Sequence, residues 1–253
     1  MKVHLALLAV SLTISFGGSA ALSQSAVKFS PTTWSTFKPY DKVKLGGNEF
    51  EAECGPSGAA IQQLGQVIRF QMIPGNKWAE DSPDSERTEL DGYRQRIAPG
   101  TPYWAAWSVY IEPGPWSTSD WLVLGQMPGL WGHIIQKGTH AMSFFLAKVA
   151  APLARLPVDS GVWYNFVEKY VVGPNGSMAA WVNGKQVANF SGAVGPGGSY
   201  YPKLGIYRGN QTAAGTPVAE SINVRYANFK FGTADLSALI VNPEPLPATV
   251  PSP

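Results

Sequence analysis

Residues 178–190 read MAAWVNGKQVANF, and this stretch decides the class of fold. Two runs that suit strands, Met178–Val182 and Lys185–Phe190, flank the dipeptide Asn183-Gly184. Because both residues of the dipeptide tolerate a positive φ angle, Asn-Gly is a preferred pair at the tip of a tight β-hairpin. The stretch therefore predicts two neighbouring antiparallel strands.

Similar runs recur along the chain, separated by many of its 27 glycines and 21 prolines. They are rich in Val, Ile, Tyr, Phe and Trp, as strands are; they are Gln66–Ile73, Tyr103–Ile111, Trp121–Gln126, Asn165–Val172, Leu204–Arg208 and Ile222–Phe231. A second tight turn is expected at Pro174-Asn175-Gly176. Only short helices are expected, at Ser57–Leu64 and near Asp235–Ile240. The pattern predicts a single all-β domain, a β-sandwich or jelly roll.

The two ends of the chain are expected to lie outside this domain. Met1-Lys2, the apolar run Leu5–Phe16 and the small residues up to Ala21 have the layout of a secretory signal peptide, residues 1–21. The apolar run is too short to span a bilayer. Residues 242–253 are rich in proline and are expected to form a disordered tail. The predicted domain is therefore residues 22–241, in a protein secreted to the extracellular space or the periplasm.

Charge and cysteine content exclude several classes of function. The formal net charge is +2, and Lys2 belongs to the predicted leader, so the exported chain is nearly neutral. A neutral surface argues against nucleic acid or a membrane as the main partner. Cys54 is the single cysteine, so no intrachain disulfide can form. We expect Cys54 to be a buried or incidental thiol and not a nucleophile.

Three of the predicted strands carry polar side chains in positions that can share one face. Side chains two residues apart point to the same side of a strand. Such a face is either a solvated outer surface or the floor of a polar groove, and strand periodicity leaves both alternatives open. The polar residues are Arg87, Glu89 and Asp91 on the first strand, Gln126 at the end of the second, and Tyr201, Lys203 and Tyr207 on the third.

These strands resemble those of jelly-roll polysaccharide lyases. Glu86-Arg87-Thr88-Glu89-Leu90 is similar to the Arg-(Ser/Thr)-Glu-Leu strand of that group, and residues 201–207, YPKLGIY, are similar to its Tyr-Phe-Lys-x-Gly-x-Tyr strand. The Gln126 strand lies between them in the expected order. The resemblance is to the heparin lyase I and glucuronan lyase-like group, and more distantly to alginate lyases. It implies a concanavalin A-like jelly roll that cleaves uronic-acid-containing polysaccharide by β-elimination.

The resemblance also implies roles for individual residues. Arg87 and Gln126 would neutralise the uronate carboxylate, which stabilises the anion formed when the C5 proton leaves. Tyr201 would remove that proton and return one to the glycosidic oxygen, with its pKa lowered by nearby cations. The implied substrate-binding residues are Glu89, which would orient Arg87, and Lys203, Tyr207 and Arg208.

The sequence departs from the alginate lyases at one position. Their pattern continues Gln-(Ile/Val)-His, whereas Met127-Pro128 follows Gln126 in this chain. We name His133 as the candidate that replaces the missing histidine among the catalytic residues, with His140 as the alternative. If neither reaches the site, then tyrosine alone is base and acid, or the site is altered or inactive.

Two other functions compete with the lyase hypothesis. A non-catalytic glycan-binding module could use Trp78, Trp116 and Trp131, which lie in turn-rich segments, as stacking platforms. A glycoside hydrolase would need two carboxylates that face each other across a cleft.

The elimination itself requires no cofactor, and no metal-binding residues are predicted. The acidic loop 80–84 could nevertheless hold Ca²⁺ through oxygen ligands. The expected partner is an acidic polysaccharide, and we expect a monomer.

Overall fold

The structure, a computed structural model, describes residues 34–56, 60–93, 97–128, 130–136, 140–146, 149–195 and 200–246. All of them lie in one of the two units into which the chain divides, residues 33–253. The predicted signal peptide and residues 247–253 of the predicted tail lie outside the described residues, as does the side chain of Trp131. No helix of the described ranges is long and apolar enough to cross a membrane.

The described residues form sixteen strands and one short helix. In chain order they are β1 Ser35–Phe37, β2 Lys42–Leu45, β3 Asn48–Cys54, β4 Ile61–Leu64, β5 Val67–Met72, β6 Ser85–Asp91, β7 Pro102–Ile111, β8 Trp121–Met127, β9 Trp131–Gln136, β10 Ala141–Leu146, β11 Ala154–Pro157, β12 Trp163–Val171, β13 Gly173–Val182, β14 Lys185–Val194, β15 Lys203–Gly209, β16 Ile222–Gly232 and α1 Ala238–Val241.

The strands build two antiparallel sheets of eight strands each. Sheet I has the order β1-β4-β5-β16-β7-β12-β13-β14, and sheet II has the order β11-β10-β9-β8-β15-β6-β3-β2. In sheet II, β15 pairs with β6 on one side and with β8 on the other. Three segments that are distant in sequence therefore become neighbours at the centre of this sheet.

The predicted all-β sandwich is confirmed, and so is its hairpin. The tip of the β13–β14 hairpin is formed by Asn183 and Gly184, with φ angles of +49° and +79°. Residues 174–176, where a second tight turn was expected, belong to the first part of β13, although the chain does reverse between Val171 and Ser177, which pair with each other. The short helix α1 falls at the second expected helical site.

The helix expected at Ser57–Leu64 is wrong over its described part. Residues 61–64 form strand β4, which pairs with β1 and β5. Ile61 is fully buried in the core from this strand. A helix this short is not stable by itself. Pairing of β4 with two strands and burial of Ile61 therefore outweigh the local preference of these residues for helix.

Aromatic rings are among the largest side chains of the core between the sheets. Burial of each such side chain stabilises the fold by about 1.5–3 kcal/mol. The Trp107 ring stacks on Phe166 with centroids 4.3 Å apart and planes 9° apart. The largest fully buried aromatic residues are Trp107, Tyr170, Tyr226, Phe50, Phe70, Phe144 and Phe166.

The C-terminal segment lies on the outer face of sheet I. Leu239 and Ile240 of α1 pack against a small second core that includes Trp104. Residues 242–246, the first part of the predicted tail, also contact this sheet: the Asn228 amide donates to the Glu244 carbonyl at 3.4 Å, and Lys230 pairs with the Glu244 carboxylate. This segment covers part of sheet I and leaves sheet II to carry the polar cluster described next.

Candidate active site

The outer face of sheet II carries a cluster of charged side chains. On β6, Thr88 and Leu90 turn towards the core, so Arg87, Glu89 and Asp91 point outward. The same alternation on β15 sends Leu204 and Ile206 inward and their neighbours outward. The cluster consists of Glu53 from β3, Arg87, Glu89 and Asp91 from β6, Gln126 from β8 and Lys203 and Tyr207 from β15.

Arg87 lies at the centre of the cluster and contacts three carboxylates. Its Nη1 is 2.8 Å from Glu53 Oε2 and 3.3 Å from Glu89 Oε2. Its Nε and Nη2 bind the two oxygens of Asp81 at 2.8 and 2.7 Å, which is the bidentate geometry that guanidinium and carboxylate prefer. The guanidinium also lies over the Tyr207 ring, 4.2 Å from its centroid.

Lys203 is the second cation of the cluster. Its Nζ is 2.5 Å from Glu53 Oε2 and 3.0 Å from Asp91 Oδ2. Glu53 therefore links Lys203 to Arg87. In the described part of the chain, the three carboxylates of the cluster and Asp81 from the loop before β6 surround two cations, an excess of negative charge that a purely structural ion pair does not need.

Gln126 enters the cluster through Glu89. Its amide nitrogen donates to both oxygens of the Glu89 carboxylate, at 3.0 and 3.1 Å. Gly205 lies opposite Glu89 in the pairing of β15 with β6 and has φ +136°. A Cβ atom there would lie 2.3 Å from the Thr88 carbonyl oxygen, so glycine is needed for β15 to approach β6 at this point.

The two tyrosines of the predicted site occupy different positions. Tyr207 is half-buried on β15, between Arg87 and Trp121, whose ring centroid is 4.9 Å from its own. Tyr201 is also half-buried, immediately before β15, with its ring centroid 6.0 Å from Lys203 Nζ. Both rings therefore border the same charged cluster.

A loop between β5 and β6, residues 73–84, covers one side of the cluster. It supplies Asp81 and also Trp78, whose ring centroid is 5.5 Å from the Arg87 guanidinium and 6.0 Å from Lys203 Nζ. Trp78 was one of the three tryptophans expected in an exposed, ligand-accessible position, and it is half-buried beside both cations. The loop thus forms an aromatic wall next to the charged floor.

Burial and mutual charge set the protonation of the cluster. Burial raises the pKa of Glu53, helped by its hydrogen bond with Asp91, and burial also raises the pKa of Glu89. Burial opposes the charged form of Lys203, but Glu89, Glu53 and Asp91 outweigh it and raise its pKa. Glu53 and Glu89 therefore take up a proton at a higher pH than an ordinary glutamate does.

The pKa of Tyr201 differs from the expected direction. Nearby cations were expected to lower it, yet burial and the negative charge of Asp91 raise it, and Lys203 and Arg87 only reduce the increase. The cause is that each cation already has carboxylate partners, so little positive charge is left to stabilise a phenolate.

Two predicted site residues lie on the opposite side of the sheet. His133 on β9 is fully buried among core aromatic rings, with its Nε2 2.6 Å from Glu168 Oε1 of sheet I. Arg208 is fully buried as well; it pairs with Glu86 at 2.8 Å and with Glu220 at 3.3 Å. Both were predicted to face the substrate, and the structure instead turns them inward, because each follows an outward-facing position by one residue on its strand.

The remaining candidates from the sequence have structural partners elsewhere. His140, the alternative histidine, stacks on Trp116, with ring centroids 4.2 Å apart. The thiol of Cys54 is buried, which raises its pKa to about 11 and leaves it unreactive.

In the acidic loop, which the sequence suggested for calcium, both Asp81 oxygens bind Arg87. In the described ranges, no group of three or more His, Cys, Asp or Glu residues is placed to hold a metal ion.

Glu53 is the member of the cluster that sequence reasoning missed. A signal was present: in β3, Glu49, Glu51 and Glu53 alternate with the core residues Phe50, Ala52 and Cys54. That alternation places three carboxylates outward on one strand. Only the pairing of β3 with β6, which sets Glu53 opposite Glu89, shows which of the three reaches Arg87.

Comparison with known proteins identifies the fold. No protein-family model and no curated protein sequence matches the chain. Among solved structures, it is similar to an endo-β-1,4-glucuronan lyase from the fungus Trichoderma reesei, with a TM-score of 0.51 and 11% identity over 81% of this chain and 89% of that one.

An alginate lyase of polysaccharide lyase family 7 gives a TM-score of 0.51 and 16% identity over 79% of this chain and 94% of that one. A GH131 β-glucanase catalytic domain from Podospora anserina gives a TM-score of 0.53 and 10% identity over 69% of this chain and 75% of that one. At these identities the likeness shows the fold alone. The protein therefore has the jelly-roll fold of these lyases and glucanases, without assignment to a specific group.

Proposed function

We propose that this protein is a polysaccharide lyase that cleaves a uronic-acid-containing polysaccharide by β-elimination on the outer face of sheet II. The observation that supports the proposal is that two cations, an amide and two tyrosines lie close together on this face, beside the Trp78 ring. These residues are Arg87, Lys203, Gln126, Tyr201 and Tyr207. Cations and amide donors suit a sugar carboxylate, and aromatic rings suit the apolar face of a sugar ring. The structural likeness to lyases is support at the level of fold.

In this proposal Arg87 and Gln126 neutralise the carboxylate next to C5. Neutralisation stabilises the enolate-like anion that forms when the C5 proton is removed. Glu89 contacts both residues and would keep them oriented. The chemistry uses side chains of this chain only and needs no cofactor.

Two tyrosines compete for the role of base and acid. Tyr201 is the position proposed from the sequence, and its raised pKa means that a Tyr201-dependent reaction should accelerate as the pH rises through the alkaline range. Tyr207 is the alternative, because its ring lies against the Arg87 guanidinium, which would hold the substrate carboxylate. Both positions therefore belong in one experiment.

The test compares Tyr201→Phe and Tyr207→Phe in purified protein against a panel of glucuronan, alginate and glycosaminoglycan. The readout is the ultraviolet absorbance of the unsaturated uronate that elimination creates. Removal of the true base should reduce the rate by roughly 100-fold or more while binding and the circular dichroism spectrum stay unchanged. Tyr110→Phe is the matched control, since Tyr110 lies in sheet I beside Trp163.

A wild-type rate from both tyrosine variants would rule out a tyrosine base. No absorbance on any polymer would contradict the lyase proposal itself.

A glycoside hydrolase is the second candidate, favoured by the carboxylates of the cluster. Glu53, Glu89 and Asp91 share the outer face, and the raised pKa of Glu53 suits a general acid. Hydrolysis would release reducing ends without the unsaturated product. A third outcome, binding without either product, would indicate the glycan-binding module that the sequence also allows.

Cellular location and assembly belong to the same proposal. The leader-like residues 1–21 support secretion, and an acidic polysaccharide would be met outside the cell. We propose that the secreted protein acts as a monomer, without nucleic acid or membrane as a partner.

A further inference from the structure

Asp81 contacts Arg87 in the bidentate geometry that the carboxylate of a ligand would also adopt on a guanidinium. The two carboxylate oxygens of Asp81 face Nε and Nη2 of the guanidinium at 2.8 and 2.7 Å. The Asp81 side chain is only 6% exposed, so this pair is largely shielded from solvent. A sugar carboxylate that approached Arg87 from outside would seek the same edge of the guanidinium.

The three carboxylates around Arg87 differ in how firmly the backbone holds them. Glu53 and Glu89 project from strands β3 and β6, which pair with each other in sheet II. Asp81 belongs to the loop of residues 73–84, whose backbone bonds near this residue are local, such as Asp81 N to the Trp78 carbonyl at 3.1 Å. Movement of Asp81 therefore breaks no strand pairing, whereas movement of the other two would.

The ends of this loop are fixed while its middle is exposed. The backbone N–H of Gly75 donates to Glu86 Oε1 at 2.5 Å, and the backbone N–H of Asn210 donates to the Asp84 carbonyl at 3.0 Å. Between these anchors, Ala79, Glu80, Ser82 and Pro83 are exposed. The middle of the loop makes side-chain contacts, with Glu80 accepting from the Tyr40 hydroxyl and the Pro83 carbonyl accepting from the Asn210 side-chain amide, but it is part of no strand, so it can move outward without opening either sheet.

We propose that Asp81 occupies the carboxylate-binding position of Arg87 in the free protein, and that the carboxylate of a uronate displaces it when an acidic glycan binds. The proposal rests on the proposed function in one respect, the role of Arg87 in binding a sugar carboxylate. Asp81 is then a specificity-determining residue, and the loop opens as the ligand enters.

Charge balance explains why this exchange selects acidic sugars. One carboxylate replaces another, so Arg87 keeps the same number of anionic partners throughout. A neutral sugar ring has no anion to replace the Asp81 carboxylate. Its binding in place of Asp81 would leave the Nε and Nη2 edge of Arg87 without an anionic partner in a shielded site, which is unfavourable. Displacement of Asp81 therefore favours carboxylate-bearing rings over neutral ones.

The test uses Asp81→Asn, which keeps the shape of the side chain and removes its charge. Isothermal titration measures the Kd of the full chain for a reduced-end uronate oligosaccharide and for its carboxyl-reduced, neutral counterpart. Loss of the internal competitor should tighten binding of the acidic oligosaccharide about tenfold and leave binding of the neutral one unchanged. Glu80→Gln is the control, since Glu80 bonds the Tyr40 hydroxyl and not Arg87.

Hydrogen exchange supplies an independent readout. When the acidic oligosaccharide binds wild-type protein, the amides of residues 78–82 should exchange faster, because the loop loses its contact with Arg87. Unchanged or weaker binding in Asp81→Asn, equal effects on the acidic and neutral oligosaccharides, or slower exchange in the loop would each overturn the proposal.

The outcomes separate this inference from the lyase proposal. Tighter acidic binding in Asp81→Asn without any unsaturated product would support the displacement and refute the lyase. Formation of the unsaturated product by the wild type, without tighter binding of the acidic oligosaccharide by Asp81→Asn, would support the lyase and refute the displacement.

Discussion

The outer faces of the two sheets each carry a pair of cations, and their partners differ. On sheet I, Arg69 and Arg225 are opposite each other in neighbouring strands and converge on one carboxylate, Glu112, at 2.8 and 2.5 Å. On sheet II, Arg87 and Lys203 are surrounded by four carboxylates in the described structure.

The pKa directions of the two clusters are opposite. Burial opposes the charged form of Glu112, but Arg69 and Arg225 outweigh burial and lower its pKa. In the sheet II cluster, burial and Asp91 raise the pKa of Glu53. In the first cluster the cations favour the charged carboxylate, whereas in the second the burial of several carboxylates together disfavours it, a pattern that is common in functional sites.

The largest expected effect distinguishes the two arginines by activity. Arg87→Lys keeps the positive charge but loses the planar fork, so we expect the rate of elimination to fall about 100-fold. Arg69→Lys, the matched change on sheet I, should leave the rate unchanged and cost about 1–2 kcal/mol of unfolding free energy through weaker bonds to Glu112. Initial rates and urea unfolding measure these two effects.

The reverse pattern, with activity lost in Arg69→Lys and kept in Arg87→Lys, would move the proposed site to sheet I. Equal loss in both variants would indicate a general effect on folding.

An effect of intermediate size is expected in the pH dependence of the unfolding free energy, which should differ between the two clusters. The lowered pKa of Glu112 adds stability that is present above its ordinary value of 4.5 and is lost as the pH falls through the folded-state value. The raised pKa of Glu53 works in the opposite sense: its contribution is complete below 4.5 and is lost as the pH rises through the folded-state value.

Unfolding of Glu112→Gln and Glu53→Gln from acidic to neutral pH measures this difference. The deficit of Glu112→Gln relative to wild type should grow with pH, and that of Glu53→Gln should shrink. Parallel pH profiles for the two variants would show that the clusters do not differ in this way.

The smallest effect is expected at the edge of sheet II. Lys42 pairs with Glu51 at a position where the lysine side chain is 40% exposed. Because solvent screens such pairs, Lys42→Ala should change neither the melting temperature nor the rate measurably. A clear loss of activity would extend the functional surface to β2 and β3.

The fold was largely predictable because its signals are local. Asn183-Gly184 and the runs of β-branched and aromatic residues depend on backbone preference and on alternation along one strand. The error at residues 61–64 arose where the deciding contacts, those of Ile61 with β1 and β5, come from other parts of the chain.

The candidate site was predictable in composition but not in contacts. Alternation correctly separated Arg87 and Glu89 from Leu90, because side-chain direction follows from strand periodicity. It gave no warning that Glu53 and Asp81 would engage Arg87, since neither residue is near it in the same strand. The inward orientation of His133 likewise depends on the pairing of β8 with β9, where Gln126 is opposite Gly132.

The sequence by itself determined that this protein is an all-β sandwich with a polar strand face, because strand formation and alternation are properties of neighbouring residues. Only the tertiary structure decided that β15 lies between β6 and β8, which brings Arg87, Gln126 and Lys203 together. It also decided that the loop before β6 places Asp81 on Arg87. Charge compensation in a buried cluster depends on distances between residues remote in the chain, and the folded backbone sets those distances.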